Sequence, residues 1–119
     1  MVDYLYIMHN TQTNLYKIGI SINCVHKRAR QLSTSSGCDI NLIMYCELND
    51  IDIRAKEFEE RLHSQFKDKR CSGEWFDLDV KDLCKIYDAI IKEDCLDFSI
   101  QDDKLEEEYN KWWTTENRR

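Results

Sequence analysis

Two groups of cations stand out by residue type and spacing: Lys27, Arg28 and Arg30, and further along the chain Lys67, Lys69 and Arg70. Such side chains bind phosphate, a guanidinium through a planar fork of donors and an ammonium as a point charge. Together they would make a basic face, and solvated charges on ordinary surface account for them equally well. Glu59 precedes His63 by four positions, a spacing that puts both on one face of a helix. Taken alone, Glu59 is one more charge on a solvated face and His63 a packed or solvent histidine. The six cysteines, at 24, 38, 46, 71, 84 and 95, form no CxxC pair and match neither a zinc site nor a disulfide framework. They read as reduced, mostly buried small apolar residues.

The elements that must position these side chains follow from periodicity. Residues 4–8, Tyr-Leu-Tyr-Ile-Met, and 15–20, Leu-Tyr-Lys-Ile-Gly-Ile, are rich in strand formers and flank the turn-prone run 10–14, which predicts a hairpin. Asn23 is a candidate cap for a helix reaching about Leu32, followed by a loop over Ser33–Gly37. Residues 40–48 predict a third strand. From Asp52 to Phe66, Ile53, Phe58, Leu62 and Phe66 recur near helical spacing among charges, an amphipathic helix. Asp79 followed by Asp82 resembles a helix start, and Val80, Leu83, Tyr87, Ile90 and Ile91 give that helix a buried stripe. The segment 102–117 predicts a last helix carrying Leu105, Tyr109, Trp112 and Trp113, the tryptophans serving the core or a partner. The order ββαβαα implies a small α+β sheet with helices on one face.

With 119 residues and 42% apolar content, the chain fits one compact domain. No run approaches the roughly 20 apolar residues of a membrane span, so a soluble, intracellular, cytoplasmic protein is expected. The net charge of −6 argues against nucleic acid as a partner until its distribution is read. Residues 1–77 hold 10 Lys/Arg and 11 Asp/Glu, a balance of −1, and residues 78–119 hold 7 and 12, a balance of −5. The acidity belongs mostly to the C-terminal part.

A Tyr-Leu-Tyr strand followed by Lys17-Ile-Gly-Ile-Ser resembles the paired strands that name the GIY-YIG nuclease superfamily. Arg28-Ala-Arg-Gln-Leu sits where that family's first helix carries an arginine. Glu59-Glu-Arg-Leu-His resembles its acidic helix, and Gly73-Glu-Trp-Phe the closing signature of one branch. That branch is named after a phage T-five DNA-binding domain and is also seen in meiotically upregulated proteins. The resemblance covers about residues 3–78. It implies a three-stranded antiparallel sheet flanked by helices, here a domain over 1–95 with an extra acidic helical segment over 96–119. It further implies a single divalent metal, Mg²⁺ or Mn²⁺, held by one glutamate, and hydrolysis of phosphodiester bonds in DNA, with a phage or viral origin.

Carried over residue by residue, Glu59 is the metal ligand and Arg28 the clamp on the scissile phosphate, with Tyr6 bonding the attacking water or its base. Lys17, replacing a tyrosine and preceded by Tyr16, is the general base, a role that needs a depressed pKa. Gly19 would allow close approach of phosphate, or serve packing. Tyr16, Lys27, Arg30 and His63 complete the expected substrate-binding set. Departures are Tyr4 for the family's first glycine and Leu32 for a helix His or Tyr, and they bear on activity more than on fold. Glu74 is a second carboxylate of low weight. The expected function is a metal-dependent endonuclease acting on DNA. The alternative is a catalytically weakened module that binds nucleic acid, and a third class is a homodimer or protein partner engaged through the acidic tail. That tail would otherwise mimic DNA charge and inhibit the site.

Overall fold

The computed structural model describes residues 2–22, 24–49, 54–93 and 97–117. Its starting point is the hairpin of β1 (Val2–Asn10) and β2 (Leu15–Ser21). The Asn10 side chain accepts from the amides of Gln12 and Thr13 at 2.9 and 3.2 Å, and Asn14 takes the left-handed conformation, φ 59°, that a short amide side chain tolerates. Helix α1 (Val25–Ser36) leads to β3 (Ile40–Asn49), then α2 (Arg54–Gln65) and a 3₁₀ turn at Lys67–Lys69. The short strands β4 (Arg70–Ser72) and β5 (Trp75–Phe76) precede α3 (Val80–Lys92), β6 (Asp97–Ile100) and α4 (Asp103–Asn117).

The three expected strands are the centre of a larger sheet, since among the described residues six antiparallel strands run in the order β4-β5-β2-β1-β3-β6. The class is α+β as expected, but the sheet is not three-stranded. The additional strands are two to four residues long, too short to show a period of two in the sequence.

Helices cover both faces rather than one. Along β1, Leu5 and Ile7 point into a cluster with Phe58 and Leu62 of α2, Leu83, Ile86 and Ile90 of α3, and Leu105 and Tyr109 of α4. Tyr6 and Met8 point the other way, onto Val25 and Ala29 of α1 and onto Ile40. A central strand apolar on both faces needs a layer on each, and each fully buried Leu, Ile or Phe contributes about 1.5–3 kcal/mol.

Helix boundaries also differ. The run 33–36 expected as loop is the last turn of α1, where the Ser36 hydroxyl bonds back to the Leu32 carbonyl at 2.7 Å and Gly37, at φ 71°, closes the end on Ser33. The N-cap is Cys24, without a side-chain cap bond; Asn23 lies outside the described residues, as do Asp52 and Ile53. The capping box of α3 is present: the Asp82 amide donates to Asp79 at 2.8 Å and the Asp79 amide to Asp82 at 3.0 Å. In the α3 stripe Val80 and Ile91 are exposed, and Cys84 and Ile86 are buried. Among the described cysteines Cys46 and Cys84 are buried, whereas Cys24 and Cys71 are exposed, against the expectation of mostly buried thiols; Cys95 lies outside the described residues.

The C-terminal segment expected as a helical tail supplies β6 as well as α4. Tyr109 stacks on Tyr87 with centroids 4.3 Å apart and donates to Asp88 at 2.9 Å, and Trp112 packs against the same cluster while Trp113 is exposed. These contacts hold α4 on the sheet face opposite Tyr6. Among the described residues no helix is long and apolar enough to cross a membrane.

Candidate active site

Strand register sets the centre of the site. Gly19 of β2 lies beside Tyr6 of β1, which lies beside Tyr45 of β3, and one step along the sheet Lys17 lies between Met8 and Trp75. Alternation puts Lys17 and Gly19 on the Tyr6 face, because Ile18 is in the opposite cluster. The hydroxyl end of the Tyr6 ring lies over Gly19, so that a Cβ there would be 2.5 Å from the hydroxyl oxygen. Of the two readings of Gly19, packing is the one realised.

Helix α1 crosses this face and brings Arg28 to the Tyr6 hydroxyl. Burial pushes the Tyr6 phenol up, and the hydrogen-bonded Arg28 guanidinium pulls it back down, with Glu74 and Glu59 raising it again from further off. Lys17 forms an ion pair with Glu74 at 3.1 Å and lies over the Trp75 ring, 5.6 Å from its centroid. Its side chain is 13% exposed and that of Glu74 39%, so the carboxylate is the more open end of the pair.

Helix α2 reaches the same place around the sheet edge. β5 pairs with β2 only at residues 16 and 17, and the last backbone bond between them runs from the Ile18 amide to the Glu74 carbonyl at 3.1 Å. Just past it, His63 Nε2 donates to the Ile18 carbonyl at 2.8 Å, and its ring lies 5.0 Å from Phe76. One turn earlier on α2 stands Glu59, within electrostatic reach of Lys17 and Glu74. Its Oε2 is buried and has no hydrogen-bond partner. Burial raises the Glu59 carboxyl above the usual range and Glu74 adds to this, while His63 and Lys17 oppose it.

Tyr6, Lys17, Gly19, Arg28, Glu59 and His63 thus meet in one region. His63 has its Nε2 engaged by the backbone, leaving only Nδ1 for a phosphate. Tyr16 is not part of the group: it packs on the opposite face and stacks on His9 at 4.5 Å. Lys27 and Arg30 are exposed on α1. Two of the three cations of the second cluster are committed elsewhere, Lys69 to Asp82 and Arg70 to the Gly73 carbonyl. Glu74 and Trp75 are more central than the sequence suggested, and the sole pointer to Glu74 was its place in the Gly-Glu-Trp-Phe run.

An uncompensated buried carboxylate oxygen asks for a cation. Mg²⁺ commonly takes one or two protein carboxylates, keeping waters elsewhere, so Glu59 with Glu74 nearby fits such an ion. Among the described residues no three or more His, Cys, Asp or Glu side chains form a candidate metal cage.

Comparison with known families finds a match over residues 3–91 to the T5orf172 domain. No curated protein and no solved structure gives a match.

Proposed function

Because the chain belongs to the T5orf172 domain family, we propose that it is a metal-dependent endonuclease of the GIY-YIG type that hydrolyses phosphodiester bonds in DNA. The observation that carries this reading is the buried, unpartnered Oε2 of Glu59 beside a group of Tyr6, Arg28 and Lys17. Phosphoryl transfer needs positioning and charge neutralisation more than covalent help. Arg28 offers a fork of donors to the phosphate, and its bond to Tyr6 fixes both side chains. Glu59 would hold Mg²⁺ or Mn²⁺, which when bound supplies positive charge at the phosphate and acidifies water.

Tyr6 would orient the attacking water. A lysine bonded to a carboxylate is a proton donor, so Lys17 serves as base only once it has given up that proton, for which Glu74, the more open end of the pair, offers one route to solvent. The same Lys17–Glu74 pair favours the second reading, a module that binds nucleic acid through this face without cutting it. Incubating the protein with plasmid DNA and Mg²⁺ or Mn²⁺ separates the two: nicked or linear product supports the nuclease, and binding without product supports the module.

A further inference from the structure

The sheet face that carries Tyr6 has a second feature. Tyr4, two residues earlier on β1, and Tyr45, across from Tyr6 on β3, stand edge to face with centroids 6.0 Å apart and planes at 70°. His26, in the first turn of α1, meets Tyr45 in the same manner at 5.9 Å and 81°. Both tyrosines are half-buried and His26 is exposed, so the three rings form an open rim on the small cluster of Tyr6, Met8, Val25, Ala29 and Ile40.

Charge completes the patch. His26 is followed on α1 by Lys27, Arg28 and Arg30, and the first turn of that helix has no acidic residue. The Tyr4 hydroxyl donates to Glu47 at 3.4 Å, which fixes the ring by its edge. Half-open aromatic rings beside guanidinium and ammonium groups match a nucleobase next to its own phosphate. A base inside a duplex has both faces occupied by its neighbours, so an unpaired or extruded base suits the rim.

We propose that Tyr4, Tyr45 and His26 form a stacking platform for an unpaired nucleobase adjoining the phosphodiester held by Arg28, so that the protein selects DNA with single-stranded character at that position. This rests on the nuclease or nucleic-acid-binding reading of the Arg28 site and specifies its substrate.

The test measures fluorescence anisotropy with Ca²⁺ replacing Mg²⁺, on a single-stranded deoxyoligonucleotide, its blunt duplex, and that duplex with a bulged 2-aminopurine. Roughly tenfold tighter binding of the single strand and the bulge than of the duplex at one salt concentration is expected, with quenching of the 2-aminopurine. Tyr45→Leu should remove most of that preference and Tyr45→Phe should keep it. His26→Ala, at an exposed position, should weaken it and serves if Tyr45→Leu does not fold. Equal affinity for all three DNAs, or an unchanged preference in folded Tyr45→Leu and in His26→Ala, would overturn the platform. If plasmid cleavage with Mg²⁺ persists in that case, the platform fails alone. Absence of both binding and cleavage overturns the underlying site as well.

Discussion

The Tyr6 hydroxyl occupies the space that a side chain at position 19 would fill, 2.5 Å from where a Cβ on Gly19 would lie. Gly19→Ala must therefore move a fully buried ring off the sheet and away from Arg28. Destabilisation of about 1–3 kcal/mol is expected, with loss of cleavage. Adding Tyr6→Leu should recover much of the stability and none of the activity. Denaturant unfolding checks this, and a single variant as stable as wild type would show the contact to be soft.

Glu59 carries an unpartnered charge whose carboxyl is raised by burial and by Glu74. A raised carboxyl favours folding most below its unfolded value, and that contribution is lost as pH rises through the folded value. Without metal, Glu59→Gln should then melt at or above wild type at neutral pH, with the difference closing below about pH 4.5, the ordinary value. Mg²⁺ should raise the melting temperature of wild type and not of the variant, and cleavage should vanish. A variant that responds to Mg²⁺ like wild type would place the ion elsewhere.

Lys17→Met keeps length and removes the amine, so turnover should fall about 10²- to 10⁴-fold while DNA binding in Ca²⁺ is retained. Glu74→Gln should lower turnover less and alter the pH–rate profile, since it removes the pair's acceptor but leaves the amine. Tyr6→Phe should also lose less than Lys17→Met. Normal cleavage by Lys17→Met with an inert Tyr6→Phe would reverse the assignments of water orientation and proton acceptance.

Arg28 pulls the Tyr6 phenol down against burial, so Arg28→Ala should raise that phenol further in an ultraviolet pH titration, read against Tyr6→Phe. Arg28→Lys should fail to restore cleavage, because one ammonium cannot grip two phosphate oxygens at once. Full rescue by lysine would mean that position 28 supplies charge alone.

In α4 the Tyr109 phenol is pushed up to about 12 by burial and by its bond to Asp88. The stability held in that raised value is present below the ordinary 10.0 and is lost as pH rises through about 12. Tyr109→Phe should therefore destabilise by about 1–3 kcal/mol at neutral pH and by less above pH 10. Deleting residues 102–119 should unfold the protein rather than tighten DNA binding, because Leu105 and Tyr109 complete the larger cluster. A folded truncation with tighter binding would revive the autoinhibitory tail.

The hairpin, β3, α2 and α3 were legible because each repeats its apolar residues over several turns or strand steps. Asp79 and Asp82 announced a helix start through a pairing that is local in sequence. The position of Glu74 was not legible, since it depends on a two-residue strand pairing with β2, a long-range contact that no local period encodes. Tyr16 and Lys17 are adjacent and both chemically apt, yet a strand sends neighbours to opposite faces, so only Lys17 reaches the site. Helices on both faces follow from β1 being apolar at every position from Leu5 to Met8, a pattern of double burial.

β5 stops after pairing with two residues of β2, and His63 takes the next free carbonyl. A bare strand edge invites another chain to add a strand, and proteins blunt such edges with side chains or short partners. Here the blunting and the proposed chemistry share one helix. A longer β5 would satisfy more of the β2 edge, whereas an imidazole protects a single carbonyl. The gap in the ladder is in this sense guarded against self-association by the same helix that carries Glu59.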